Sequence, residues 1–274
     1  MKLRSLYFFL TFYMVIFFAN SQWLLAETVD DTIFPLRASY ATVTTISHQA
    51  LAEKINDVLI IDVRSIYEFS VLHLTNAVNV PITNLGFIPT LKVLRANDDR
   101  DIIFYCNGIT CKKSYEASVT AQKAGIERVY TFDLGLLLWA KLHPDKSVFF
   151  NYSPLNTEHL ISPEKFRQHL LLPQDFVKKV TDNSLVFDIR EFYQRDKLIL
   201  ENISISAPLN KFQHTLELIK KNNSTLLIYD AVGKQVRWLQ YLLEKNNIKN
   251  YYFMQGGVKG YLASGLPESK AESK

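Results

Sequence analysis

The 274-residue chain is poor in cysteine and glycine, with two cysteines and nine glycines. Two cysteines form at most one disulfide, so an apolar core and not a framework of disulfides must hold the fold. The glycines are dispersed, and Gly256-Gly257 is the only adjacent pair, which excludes a glycine-rich phosphate loop and a dinucleotide fingerprint. Clusters of ligand-type residues with metal-site spacing are also absent. We therefore expect neither a cofactor nor a metal.

A strong charge of one sign is also missing. The 31 basic residues are scattered among 27 acidic ones, for a formal net charge of +4. This balance does not indicate a nucleic-acid partner. Hydrophobic residues make up 48% of the chain, enough for a globular protein, and the length favours two domains.

The first 26 residues have the layout of a secretory signal. Two basic residues precede an apolar run over residues 6–18, and small or polar residues follow. The run fits the apolar core of a signal peptide better than a membrane span. We predict cleavage after Ser21 or Ala26 and export to the periplasm or the medium. The alternative is an uncleaved N-terminal anchor, and only then would the protein contact the membrane.

The remaining chain contains one pattern twice. Each copy has a buried strand ending in Asp-x-Arg, then a second apolar strand leading into a polar loop and a helix, then a third strand with a glycine-marked turn. Such alternation predicts parallel sheets with helices in the crossovers. The paired segments are residues 58–64 and 184–190, 101–105 and 225–229, and 127–132 and 249–253.

These copies define two domains, predicted at residues 43–147 and 159–270 with a linker at 148–158. The second begins at Ser162-Pro163-Glu164, where serine suits a helix N-cap and proline the first helical position. Ser47 opens the first domain in a similar way.

Cys106 stands at the end of a predicted parallel strand, where loops and helix N-termini form a ligand crevice. Helix N-termini and basic neighbours lower a thiol pKa from about 8.5 to about 3.5–7.5. Cys106 is therefore a candidate nucleophile, and the unpaired amide groups at the helix N-terminus suit an anionic substrate. The predicted substrate-binding loop comprises Asn107, Gly108, Ile109, Thr110, Cys111 and Lys112.

The segments around the first strand resemble the opening signature of rhodanese domains: Ile61-Asp62-Val63-Arg64, Tyr67-Glu68-Phe69, His73-Leu74 and Asn76-Ala77-Val78-Asn79-Val80-Pro81. The resemblance covers residues 43–147 and 159–268. It implies two rhodanese-like three-layer α/β domains, each a mainly parallel sheet covered by helices on both faces. It gives Cys106 the place of the persulfide-forming cysteine. It also implies that Asp62 and Arg64 form a supporting polar network.

The implied activity is that of a thiosulfate sulfurtransferase (rhodanese) type enzyme, which moves sulfane sulfur from an anionic or persulfide donor to a thiophilic acceptor. Two departures bear on the substrate. Cys106 is 20 positions from Ile126, whereas Asp230 is 18 positions from Ile248, so the first loop is longer. The arginines usual in the family are replaced by Thr110, Cys111 and Lys112. The donor is therefore not necessarily thiosulfate.

A phosphatase of the Cys-x5-Arg type is disfavoured, although Cys106 and Lys112 have that spacing. Lysine is a point charge and cannot hold a phosphoryl group with a bidentate fork.

The second domain has Asp230 at the cysteine position, and a carboxylate cannot form a persulfide. We predict that this domain is degenerate and that Asp230 caps a helix.

Two other functions stay open. Cys111 is a candidate resolving thiol, so that the pair serves thiol redox chemistry, or the chain is a non-catalytic binding module. The predicted partners are a small sulfur-containing substrate or a thiol acceptor, and not nucleic acid. Whether Cys106 and Cys111 form a disulfide is open at this point.

Overall fold

The computed structural model describes residues 33–201, 203–221 and 224–268. The predicted export segment, residues 1–26, lies outside these ranges. Within them, no helix combines the length and apolar character needed to cross a membrane.

The first repeat alternates short strands and helices. In chain order its elements are α1 (His48–Glu53), β1 (Val58–Asp62), α2 (Ile66–Val71), β2 (Leu72–Leu74), β3 (Val78–Asn79), α3 (Phe87–Asn97), β4 (Asp101–Tyr105), α4 (Lys113–Lys123), β5 (Val129–Phe132), α5 (Leu136–Leu142) and β6 (Ser147–Phe149). Four of the strands form a parallel sheet in the order β3-β1-β4-β5. Strands β2 and β6 form a separate antiparallel pair, which includes Val148 and Phe149 of the predicted linker.

The second repeat has the same construction. Its elements are α6 (Pro163–Arg167), β7 (Leu170–Leu171), α7 (Pro173–Lys178), β8 (Ser184–Asp188), β9 (Ile205–Ser206), α8 (Leu216–Lys221), β10 (Thr225–Tyr229), α9 (Val236–Lys245), β11 (Tyr251–Met254) and α10 (Gly257–Ala263). Its sheet is parallel, in the order β7-β11-β10-β8-β9. Short 3-10 helices lie at Arg37–Tyr40, Pro144–Lys146, Thr157–His159, Phe192–Gln194 and Leu209–Thr215.

Helices cover both faces of the first sheet, because successive strand residues point to opposite sides. On β1, Ile60 packs in a cluster with Trp139 of α5, whereas Ile61 packs in another cluster with Leu91 of α3. The strands are accordingly continuous apolar runs. The predicted fold class, mainly parallel sheets flanked by helices, is confirmed.

The predicted helix start signals are also confirmed. The Ser47 hydroxyl accepts a hydrogen bond from the Ala50 N–H at the start of α1. The Ser162 hydroxyl accepts one from the Lys165 N–H, with Pro163 as the first residue of α6. Both satisfy amide groups that a helix leaves unpaired at its N-terminus.

A buried contact joins the two repeats through α9. Trp238 and Tyr241 of this helix are 3% exposed and belong to the core cluster of the first repeat. The Tyr241 ring meets Phe149 of β6 edge to face, with 5.6 Å between centroids.

Glu244 at the end of α9 is expected to make stability depend on acid pH. Burial raises the pKa of Glu244, but hydrogen bonds from Lys165, Lys249 and Tyr251 outweigh burial and lower it from 4.5 to about 2. The charged carboxylate therefore stabilises the folded state fully above pH 4.5, and this contribution is lost as the pH falls toward 2.

Chemical denaturation between pH 6 and pH 2.5 checks this expectation. The Glu244→Gln variant should lose less of its free energy of unfolding over this range than the wild type. Glu53→Gln, at an exposed position on α1, is the control and should follow the wild type. Parallel curves for wild type and Glu244→Gln would contradict the assignment.

Candidate active site

The first loop, residues 106–112, leaves β4 at the carboxyl edge of the first sheet and leads into α4. Cys106 is 2% exposed and packs in the same apolar cluster as Ala117 of α4. The Cys111 N–H donates to the Gly108 carbonyl oxygen at 2.8 Å, which curls the loop into a turn. Ligands of parallel α/β sheets bind at this edge, next to the helix N-termini.

Cys106 and Cys111 are joined by a disulfide, with 6.2 Å between their Cα atoms. That separation is ordinary for a disulfide. The sequence predicts a thiolate of low pKa at Cys106, but a disulfide sulfur does not titrate. Thiolate chemistry at this loop therefore requires prior reduction.

The other loop residues differ in exposure. Thr110 and Lys112 are exposed, whereas Gly108 and Ile109 are partly buried. The Lys112 ammonium forms an ion pair with Glu116 at 2.9 Å on the surface of α4. The ammonium of Lys112, a residue of the predicted substrate-binding loop, is therefore paired with a carboxylate of α4.

Asn107, directly after the cysteine, is held from two sides. Arg64 Nη1 donates to Asn107 Oδ1 at 3.2 Å, and Asn107 Nδ2 donates to Glu68 Oε1 at 2.7 Å. We call Arg64, Asn107 and Glu68 the Asn107 clamp. It fixes the residue after the nucleophile to Arg64, two residues beyond the end of β1, and to Glu68 of α2.

Glu68 is a functional candidate that sequence reasoning missed. It is 3% exposed and accepts a hydrogen bond from the Ser65 hydroxyl at 2.8 Å. Burial raises its pKa, but Arg64, Lys113, Asn107 and Ser65 together lower it below its usual value, so the carboxylate is charged at neutral pH. Ser65-x-x-Glu68 is a capping box, and this spacing was the available signal.

Asp62 and Arg64 form a fully buried ion pair. Arg64 Nε donates to Asp62 Oδ1 at 2.9 Å, and Nη2 donates to Asp62 Oδ2 at 2.5 Å and to the Leu72 carbonyl oxygen at 2.6 Å. Burial lowers the pKa of Arg64, but the charge and hydrogen bonds of Asp62, together with the charges of Tyr105 and Glu68, outweigh burial and raise that pKa. The arginine thus links the end of β1 to β2 and to the first loop.

Gly135 lies in close backbone contact with the first loop. Its φ is +91°, and a Cβ built on it would lie 2.1 Å from the Gly108 Cα. The Leu136 N–H also donates to the Cys106 carbonyl oxygen at 3.3 Å. The backbone of the first loop therefore rests directly on the backbone of the next strand-to-helix turn.

The second loop, residues 230–235, occupies the same place after β10. Strand registers pair Asp62 with Tyr105 and Asp188 with Tyr229, so Cys106 and Asp230 follow equivalent positions. The Asp230 carboxylate accepts from the backbone N–H groups of four residues: Val232 at 2.9 Å, Gln235 at 2.5 Å, Val236 at 3.1 Å, and Gly233. A carboxyl group of the chain itself therefore fills this cradle of amide groups.

Asp230 is 1% exposed. Burial raises its pKa above the usual value, and the four backbone N–H groups oppose that rise. Two of those groups, on Gln235 and Val236, stand at the N-terminus of α9, so Asp230 holds the start of this helix.

Two further observations concern possible metal ligands and the aromatic residues of the first repeat. In the described residues, no group of three or more His, Cys, Asp or Glu side chains is placed to hold a metal. Phe132 and Trp139 are fully buried and meet edge to face at 5.4 Å, so these aromatic residues pack in the core.

A family model described as the rhodanese-like domain matches residues 47–142 and 172–264. The chain belongs to the rhodanese-like domain family. The two matched segments cover most of the two repeats of this rhodanese-like protein, and the first contains Cys106 and the Asn107 clamp.

Relatives of known name match parts of the chain. A tRNA uridine(34) hydroxylase of Onion yellows phytoplasma is 29% identical over 133 residues, covering 47% of this chain and 41% of the relative. The HTH-type transcriptional regulator Rv0324 of Mycobacterium tuberculosis is 35% identical over 83 residues, covering 30% and 34%. The chain thus spans about two fifths or less of these relatives. Among solved structures, thiosulfate sulfurtransferase from Pseudomonas aeruginosa has a TM-score of 0.35 at 11% identity, covering 88% of this chain and 69% of that one.

Proposed function

We propose that the protein is a sulfurtransferase whose first loop carries sulfane sulfur on Cys106. The observation that carries the proposal is the place of this thiol. It stands at the carboxyl edge of a parallel sheet in a rhodanese-like domain, in the loop that leads into α4. The equivalent loop of the second repeat already holds a carboxylate in its cradle.

The reaction starts from the reduced loop. The Cys106 thiolate attacks the outer sulfur of an anionic donor such as thiosulfate. The donor S–S bond breaks, and sulfite leaves with the electron pair. Cys106 then carries a persulfide. A thiophilic acceptor attacks the outer sulfur, the persulfide S–S bond breaks, and the Cys106 thiolate is restored.

The surroundings of the loop suit this reaction. The N-terminal end of α4 favours negative charge on the thiolate and on the persulfide. The Asn107 clamp fixes the residue after Cys106. Lys112 is paired with Glu116 on the surface, so the loop offers few fixed cations to a doubly charged donor. A persulfide donor is therefore as suitable as thiosulfate.

A turnover assay tests the proposal. The protein is treated with a dithiol or left untreated, freed of the dithiol, and mixed with thiosulfate or an organic persulfide and with cyanide as acceptor. We expect thiocyanate above the protein-free background only from the reduced protein, because the disulfide blocks Cys106. An absence of turnover with both donors after complete reduction would overturn the proposal and favour the binding module.

The disulfide favours thiol redox chemistry as a second candidate function. The Cys111 sulfur is bonded to the Cys106 sulfur within the loop. Attack of the Cys111 thiolate on the inner sulfur of a Cys106 persulfide would form this disulfide and release sulfide. A dithiol reductant would then reopen the loop. Export to an oxidising compartment, which we also propose from the N-terminal segment, would favour the closed form.

Replacing Cys111 with serine separates the two functions. In a redox cycle, reduced Cys111→Ser protein should accumulate a persulfide or a mixed disulfide at Cys106 and should release no sulfide in the absence of another thiol. The wild type should release about one sulfide per chain and close its disulfide. Intact mass and sulfide detection read these outcomes. Equal sulfide release from both proteins would exclude Cys111 as the resolving thiol.

A further inference from the structure

Trp238, a residue of the second repeat, covers the buried arginine of the first. Its ring centroid lies 4.9 Å from the Arg64 Cζ atom. The Trp238 residue is 3% exposed and Arg64 is fully buried, so the contact is shielded from water. A guanidinium over an indole ring at this distance is a cation–π contact, which is strongest when desolvated.

Arg64 also donates a hydrogen bond to the Asn107 side chain, so it connects Trp238 to the first loop. The second repeat lacks such a connection: its arginine, Arg190, donates instead to the carbonyl oxygens of Gln194 and Lys197. Ala231 stands where the first loop has Asn107, so it offers no side-chain acceptor. Only the first arginine is therefore tied to a loop residue next to the nucleophile position.

The position of Trp238 is set by the second loop. The Asp230 carboxylate accepts from the N–H groups of Gln235 and Val236, which begin α9. Trp238 lies in the first turn of that helix. The filled cradle of the second repeat thus holds the helix that places an indole over Arg64.

We propose that Trp238 is a positioning residue for Cys106, acting through Arg64 and Asn107, and that this is the contribution of the second repeat to the site. The chemical purpose of the positioning rests on the proposed sulfur transfer. The contact itself has an effect that is measurable on the thiol alone, so it can be tested if sulfur transfer fails.

The test uses the Cys111→Ser protein, in which Cys106 is the one cysteine. Its pKa is measured from the thiolate ultraviolet absorbance against pH, and its reactivity from the rate of alkylation by iodoacetamide. Trp238→Met keeps an apolar side chain but removes the ring. We expect the pKa of Cys106 to rise by at least about half a unit and alkylation at neutral pH to slow roughly three- to tenfold. Trp238→Phe, which keeps a ring, should restore most of both values.

Tyr241→Phe is the matched control. Tyr241 lies three residues further along the same helix and is equally buried against the first repeat, but it contacts Phe149 and the Ile161 N–H instead of Arg64. The phenylalanine keeps the ring that stacks on Trp238, with 5.9 Å between centroids, and removes only the hydroxyl that binds the Ile161 N–H. It should leave both values unchanged. A double-mutant cycle with Asn107→Ala completes the test, because Trp238→Met should add no further effect once Asn107 is removed.

Unchanged Cys106 properties in folded Trp238→Met protein would overturn the proposal, as would an equal effect of Tyr241→Phe or additive effects in the cycle. Thermal unfolding of each variant establishes that the compared proteins are folded. If Trp238→Met does not fold, Trp238→Tyr and Asn107→Ala decide. Wild-type values in Asn107→Ala would overturn the proposal. A raised Cys106 pKa and slower alkylation in Asn107→Ala, with Trp238→Tyr near the wild type, would support it.

Discussion

Replacing Cys106 with serine is expected to reduce sulfur transfer at least about a thousandfold, to the background rate. Serine has no sulfur to carry the persulfide, and its hydroxyl stays protonated at neutral pH. The fold should tolerate the change, because serine is slightly smaller than the buried cysteine and keeps its backbone contacts with Leu136. The measurement is thiocyanate formation from thiosulfate by reduced protein.

Cys111→Ser is the matched control, because it removes the same disulfide and leaves Cys106 in place. This variant should still accept one sulfur per chain. Asp230→Asn should do so as well, since the second loop has no thiol. Transfer by Cys106→Ser at more than a small fraction of the wild-type rate would mean that the sulfur does not pass through Cys106.

Gly135→Ala should disrupt the first loop more than any other single methyl addition that we propose. The new Cβ would lie 2.1 Å from the Gly108 Cα and 2.6 Å from the Asn107 carbonyl oxygen, which are backbone atoms. Alanine is also strained at a φ of +91°. We expect a loss of at least about 3 kcal/mol in the free energy of unfolding, or a displaced loop with much slower Cys106 alkylation.

Gly108→Ala provides the comparison, because Gly108 lies on the other side of the same contact. A Cβ built on Gly108 meets no atom within 4 Å. This variant should change the free energy of unfolding by less than about 1 kcal/mol. Denaturant unfolding measures both variants, and equal losses would show that the close backbone approach at Gly135 is not what supports the loop.

The sequence predicted the architecture because the decisive signals are local and appear twice. Continuous apolar strands ending at Asp62 and Asp188 indicate sheets covered on both faces. Ser47 and Ser162 each cap a helix by accepting a hydrogen bond from the N–H three residues later, so a short stretch of sequence is enough to locate the helix start. Each repeat therefore carries enough information to define its own strands and helices.

The site was less predictable, because its contacts join residues far apart in the chain. Asn107 meets Glu68 across 39 positions, and only the folded sheet brings these residues together. Lys112 is predicted as part of the substrate-binding loop, yet its ammonium pairs with Glu116, four positions later in α4. Trp238 reads as an ordinary buried residue of an amphipathic helix, and its contact with Arg64 depends on how the two repeats pack.

The most direct test of the account is the intact mass of the reduced wild-type protein after incubation with thiosulfate and removal of excess donor, followed by peptide mapping. The account predicts a gain of one sulfur on the peptide that contains Cys106, reversed by a dithiol. No gain after complete reduction, with neither sulfide release nor closure of the disulfide, would contradict a Cys106 persulfide, as would a sulfur located on Cys111.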